Sequence, residues 1–111
     1  MTLIRHHING QPAGEGARTG AVFNPATGAH QHDVTFASTA EVDAAIAAAK
    51  AALPAWRETG LIRRADVFFR LRQLLIERQD ELAAIITSEH GKVLSDAKGE
   101  IARGIENIEF A

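Results

Sequence analysis

Apolar positions change their rhythm once along this chain. Up to about Ala37 they alternate with polar residues in short runs bounded by glycines and turn residues; beyond Ser38 they recur at three- and four-residue spacing. The first stretch predicts strands and the second predicts helices. Leu3 to Ala13 reads as strand, turn, strand, with Asn9-Gly10 supplying the positive φ angles of a tight hairpin. A polar, Gly-rich loop follows from Gly14 to Gly20. A second extended pair spans Ala21 to Asn24 and His30 to Ala37, joined by Pro25-Ala26-Thr27-Gly28, with Val34 and Phe36 on one face.

Ser38 and Glu41 form the capping box of the first helix, whose apolar face carries Val42, Ile46, Ala49, Leu53 and Trp56. Pro54 lacks an amide hydrogen, so a kink or an end is expected near Ala52. The next helix should start near Leu61. Its apolar face holds Ile62, Ala65, Phe68, Phe69 and Leu75, with Arg63, Arg64, Arg70 and Arg72 mostly outside it. Arg78-Gln79-Asp80 marks a break, after which Leu82, Ile85 and Ile86 make a short third helix closed by Gly91. Ser95 opens a fourth, with Ala97, Ile101, Ile105 and Ile108 on one face and Gly99 and Gly104 in its interior. Each of those glycines costs roughly 1 kcal/mol relative to Ala, so a close-passing backbone is expected beside them. Neither Gly, Pro nor a terminal cation stops this helix, and Glu106 and Glu109 sit where its dipole disfavours them. That pattern predicts the front of a longer protein, truncated in its last helix. No internal repeat or linker divides the chain.

Composition narrows the function classes. Of 51 apolar residues 21 are Ala, so a modest core must rest on the Leu, Ile, Val and Phe side chains and Trp56. A net charge of −2 with mixed signs gives no long-range attraction to nucleic acid or anionic lipid. The absence of Cys removes disulfides, Cys-ligated zinc and a thiol nucleophile from these residues, and fits a cytoplasmic location. Met1 to Gly10 has Arg5, His6 and His7 in place of a secretory apolar region. The Ala-rich run Ala44 to Ala55 is interrupted by Lys50 and Pro54 and falls short of the ~18 apolar residues of a membrane span.

Several candidate sites compete with plainer roles. His30 and His32, two apart in a strand, should point the same way, but a metal would need a further ligand such as His6 or His7, and surface polarity explains them as well. No metal site is expected. Gly91-Lys92 lacks the remaining residues of a phosphate loop and fits a helix C-cap. The arginines Arg63, Arg64, Arg70 and Arg72 lack interleaved aromatics and fit a solvated helix face. Arg103 lies near the apolar stripe of a glycine-flanked helix, where a guanidinium could clamp a carboxylate bidentately. Its plainer role is a surface pair with Glu100, Glu106 or Asn107.

In order along the chain, the segments Ile8-Asn9-Gly10, Asn24-Pro25-Ala26-Thr27-Gly28, Pro54-Ala55-Trp56, Arg63-Arg64 and Leu74-Leu75 are followed by Asp80-Glu81-Leu82-Ala83, Glu89-His90-Gly91-Lys92 and Ala97-Lys98-Gly99-Glu100. This ordered set resembles the N-terminal part of the aldehyde dehydrogenase superfamily, over nearly the whole chain. Gly99 to Glu106, followed by Glu109-Phe110-Ala111, looks most like the CoA-acylating methylmalonate-semialdehyde dehydrogenases. The resemblance implies an α/β parent in which residues 1–111 are an incomplete N-terminal part of the NAD-binding domain. This segment is α+β: antiparallel hairpins over 1–37, then about four helices over 38–111. It further implies NAD-dependent oxidation of malonate or methylmalonate semialdehyde to acetyl-CoA or propionyl-CoA, in valine or inositol catabolism, by a homodimer or homotetramer. In such enzymes a Cys thiolate attacks the aldehyde, hydride passes to NAD and CoA releases the acyl group. The Arg matching Arg103 binds the substrate carboxylate. The resemblance places the catalytic and cofactor-binding residues beyond Ala111, so the segment alone should bind no cofactor, be inactive and be prone to self-association. A non-acylating aldehyde dehydrogenase and a small stand-alone α+β interaction module are the rival readings.

Overall fold

A computed structural model describes residues 2–14 and 16–111. The chain divides into two compact units. One holds the strands and the first helix, Met1–Phe23 with Gly28–Glu58. The other holds three helices and the turn Asn24–Thr27, within Asn24–Thr27 and Thr59–Ala111.

In the first unit the expected hairpin forms between β2 (His6–Ile8) and β3 (Gln11–Ala13), in antiparallel register from His6↔Ala13 to Ile8↔Gln11. Asn9 at φ 52° and Gly10 at φ 75° make its two-residue turn; asparagine and glycine are the residues that enter this region most cheaply. The second expected pair is β4 (Thr19–Phe23) against β5 (His30–Thr35), antiparallel, with an irregularity at Val22/Phe23. The first extended segment departs from expectation. It breaks at Arg5, and its front piece, β1 (Thr2–Ile4), pairs in parallel with β5 through Leu3↔Asp33 and Ile4↔Val34. The sheet order is therefore β1-β5-β4. A three-residue strand has too few positions to show a period, and its partner lies some thirty residues away, so local pattern could not reveal it.

Helix α1 (Thr39–Glu58) opens on the expected capping box. Glu41 Oε2 accepts from the Ser38 amide at 2.7 Å and from its hydroxyl at 2.8 Å, while Ser38 Oγ accepts from the Glu41 amide at 3.2 Å. Of the kink or end expected near Ala52, an end does not occur, and the helix runs through Pro54 to Glu58. Proline removes one bond, to the carbonyl four residues back, and here it falls near the helix C-terminus among good helix formers. No residue of α1 is buried, and Ile46 and Leu53 are each more than half exposed.

In the second unit, α2 (Leu61–Glu77) and α3 (Gln79–His90) are divided at Arg78, as the polar triplet suggested. Gly91 ends α3 in the left-handed region at φ 84°, its amide donating to the Thr87 carbonyl at 2.9 Å. A Cβ at Gly91 would come within 3.0 Å of Pro25, so this position demands glycine both for its angle and for its space. The Asn24 side chain folds the turn beside it by accepting from the Ala26 and Thr27 amides. Helix α4 (Leu94–Phe110) starts one residue earlier than expected, and Ser95 does not cap it. The capping position is Val93, in extended conformation, whose carbonyl accepts from the Asp96 and Ala97 amides. Ser95 is already inside the first turn.

The core of this unit is small. Ala83 and Ala97 are completely buried and Ile101 nearly so, with Leu82, Ile86 and Ile105 packed around them. Two alanines at the contact let α3 and α4 approach closely. Ion pairs bind the periphery: Lys98 to Asp80 at 2.6 Å between α4 and α3, and Arg72 to Glu109 at 2.5 Å between α2 and α4. Among the described residues, no helix is long and apolar enough to cross a membrane.

Candidate functional site

Arg103 stands on the exposed side of α4, two residues past the buried Ile101. Among the described residues its guanidinium forms no ion pair or hydrogen bond. The three plain partners offered by helical spacing are engaged differently. Asn107 donates its amide to the Arg103 main-chain carbonyl at 2.8 Å and leaves the guanidinium alone. Glu106 forms no ion pair among the described residues. Glu100, one turn back, is bonded through Oε1 to Lys92 Nζ at 2.5 Å.

The surroundings of Arg103 follow from the sequence around it. Gly91 turns the chain out of α3 and places Lys92 in the short connection before α4, with its side chain only 19% exposed. The Lys92 hydrogen bond holds the Glu100 carboxyl below its usual range; slight burial opposes this, and the charges of Lys92, Arg103 and His90 add to it. Glu100 is thus a carboxylate whose charge is already matched. A Cβ on Gly99 would lie 3.6 Å from Arg103 Nη1, an ordinary contact, so the guanidinium lies back over a position that carries no side chain. Around Gly104 an added Cβ would meet nothing within 4 Å. The backbone neighbour expected beside these glycines is therefore not found among the described residues. An exposed guanidinium with five N–H donors, unpaired among the described residues, has the chemistry to bind a carboxylate or a phosphate bidentately.

The remaining candidates have local roles. His30 Nε2 lies 2.9 Å from the His32 carbonyl oxygen and 3.0 Å from Asp33 Oδ1, and its ring tilts against Phe23. Among the described residues no three His, Asp or Glu side chains assemble as a ligand set. Gly91 is the C-cap, as its spacing suggested. The arginines of α2 are not a uniformly solvated row: Arg64 is half-buried with Nε unpartnered, and Arg72 reaches Glu109. Phe68, Phe69 and Ile108 line a groove of about 240 Å³ between α2 and α4, and Arg72 and Glu109 bridge it. In the first unit, a wider concavity lies at the start of α1, lined by Arg18, Thr35, Phe36 and Glu41. Arg18 stacks over the Phe36 ring and donates to the Ala37 carbonyl, so its charge is spent within the fold.

The sequence singles out Arg103, and it offers Lys92 only beside Gly91 as part of an incomplete phosphate loop, not as the partner of Glu100. No local rule joins residues eight apart across a non-helical connection, so only the fold brings Lys92 to Glu100.

The aldehyde dehydrogenase family model matches residues 13–111. The chain belongs to the aldehyde dehydrogenase family. It is 45% identical to malonate-semialdehyde dehydrogenase of Pseudomonas aeruginosa, over 100% of this chain and 22% of that protein. Among solved structures, methylmalonate-semialdehyde dehydrogenase of Oceanimonas doudoroffii shares 49% identity at a TM-score of 0.96, over 99% of this chain and 22% of that one. A protein described as a methylmalonate-semialdehyde dehydrogenase from Sinorhizobium meliloti 1021, complexed with NAD, shares 47% at 0.93, over 97% and 22%. The chain thus spans about a fifth of the length of these aldehyde dehydrogenases. Over that fifth the α+β arrangement of short strands and four helices is the same.

Proposed function

We propose that this chain is the N-terminal segment of an NAD-dependent, CoA-acylating malonate- or methylmalonate-semialdehyde dehydrogenase, forming the first part of its NAD-binding domain. The observation that carries the reading is the guanidinium of Arg103, unpaired among the described residues, in a chain similar along its whole length to enzymes named for aldehydes that bear a carboxylate. Malonate semialdehyde presents that carboxylate at the far end from its reacting carbonyl. A bidentate pair with Arg103 would fix the distance and orientation of the carbonyl, converting binding energy into alignment. NAD, when bound, supplies the hydride acceptor and CoA the acyl acceptor. This chain contributes no Cys nucleophile, since it has none, and its own role is to bind and orient.

The test is kinetic and uses the full-length polypeptide that carries the segment. Arg103→Ala should lower kcat/KM for malonate semialdehyde by about 10- to 100-fold relative to a neutral aldehyde such as propanal, the size expected for a lost hydrogen-bonded charge pair. Equal losses on both substrates would remove Arg103 from the substrate site. The 111-residue chain alone should neither reduce NAD nor bind it in calorimetric titration. Micromolar binding by the isolated chain would contradict this reading.

A further inference from the structure

Residues 100 and 103 face each other across one helical turn, with the carboxylate on the N-terminal side, the arrangement in which Glu and a cation pair most readily. Among the described residues Glu100 nonetheless forms no ion pair with Arg103; its Oε1 accepts from Lys92 Nζ at 2.5 Å. Taking Arg103 as the carboxylate-binding group proposed above, the geometry points to Lys92 as a positioning residue that captures Glu100 and so keeps Arg103 open for the substrate.

Three features make the arrangement work. Lys92 approaches from outside the helix, on the connection that follows the left-handed turn at Gly91; its side chain is mostly covered and its Nζ donates to Glu100. A Cβ at Gly99 would lie 3.6 Å from Nη1, so the guanidinium rests over that position in ordinary contact. The remaining carboxylate in helical reach, Glu106, lies on the C-terminal side of Arg103, the weaker orientation for such a pair. Glu100 is ionised throughout the neutral range, as an ordinary carboxylate is, so the pair with Lys92 persists there. Without the lysine amine the substrate would compete with a tethered carboxylate for one guanidinium.

The inference separates Lys92 from an ordinary surface lysine through a double substitution. In the 111-residue chain, the Arg103 Nε–H should exchange rapidly with water; Lys92→Met should slow it by about fivefold as Glu100 turns to Arg103, and adding Glu100→Gln should restore the fast exchange. In the full-length enzyme, Lys92→Met should raise the KM ratio of malonate semialdehyde to propanal by about fivefold while moving the kcat ratio far less. Lys92→Arg, or Glu100→Gln in the Lys92→Met background, should reverse the change. A ratio that does not rise, or that rises without being reversed by Glu100→Gln, overturns the inference, the second outcome being that of a merely structural lysine. Should Arg103→Ala affect both aldehydes equally, the carboxylate reading fails on its own. The exchange measurement still decides whether Lys92 keeps Glu100 off Arg103.

Discussion

At the start of α1 two side chains replace helix partners that the backbone lacks. Ser38 and Glu41 satisfy each other's amides, and the bonds from the Ser38 amide and hydroxyl, aided by the charge of His6 and opposed by slight burial, hold the Glu41 carboxyl below its ordinary value. A group whose folded pKa is depressed stabilises the folded state above its unfolded pKa, and that contribution is lost as pH falls through the folded value. Helicity of the chain should therefore begin to fall just below the usual glutamate range. Glu41→Gln should flatten this acid limb, as followed by circular dichroism. Ser38→Ala should cost about 1 kcal/mol in urea unfolding; an unchanged midpoint would show that the box adds nothing. The pair could be read from the sequence because its partners lie three residues apart. Arg72 with Glu109, and Lys92 with Glu100, could not be read that way, since folding alone supplies their proximity.

Among the elements, those with strong local signals appear where the pattern put them. The hairpin at Asn9-Gly10 and the stop at Gly91 rest on residues that enter the left-handed region cheaply, while the start of α2 at Leu61 and the break at Arg78 follow the onset of the apolar period and its polar interruption. The misreadings arose where one local rule met an opposing one. At Pro54 a missing hydrogen bond was outweighed by helix-forming neighbours, and at Ser95 a good cap residue lost its place to Val93, because the connection leaving Gly91 is already extended there. β1 failed for a different reason, having a distant partner and no period. Helix α4 allows a direct measurement of how a glycine serves this chain. Gly104 lies in the helix interior, and a Cβ there meets nothing, so Gly104→Ala should stabilise the 111-residue chain by about 1 kcal/mol. A loss of stability in thermal melts would reveal a neighbour that these contacts do not contain.

For the molecule as a whole, the balance between covered and uncovered apolar surface decides behaviour in solution. Among the described residues, the buried apolar side chains are Ala83, Ala97 and Ile101, two of them methyl groups. Against these stand Ile62 at 80% exposure and Phe69 at 68%, two turns apart on one face of α2, and Phe110 at 95%. Burying a side chain of that size stabilises by about 1.5–3 kcal/mol, so each uncovered residue is a substantial unspent driving force. In relatives about five times longer there is far more chain to meet such a face. Alone, the segment has only other copies of itself. Its sedimentation coefficient should therefore rise with concentration between about 10 and 200 μM, with a dye specific for exposed apolar surface binding strongly at the low end. Ile62→Lys with Phe69→Lys should return it toward the monomer while leaving its helical circular dichroism in place, because neither side chain contributes to the Ala83–Ala97–Ile101 contact. A single monomeric species across that range, with no dye binding, would mean that the α2 face is covered within one chain.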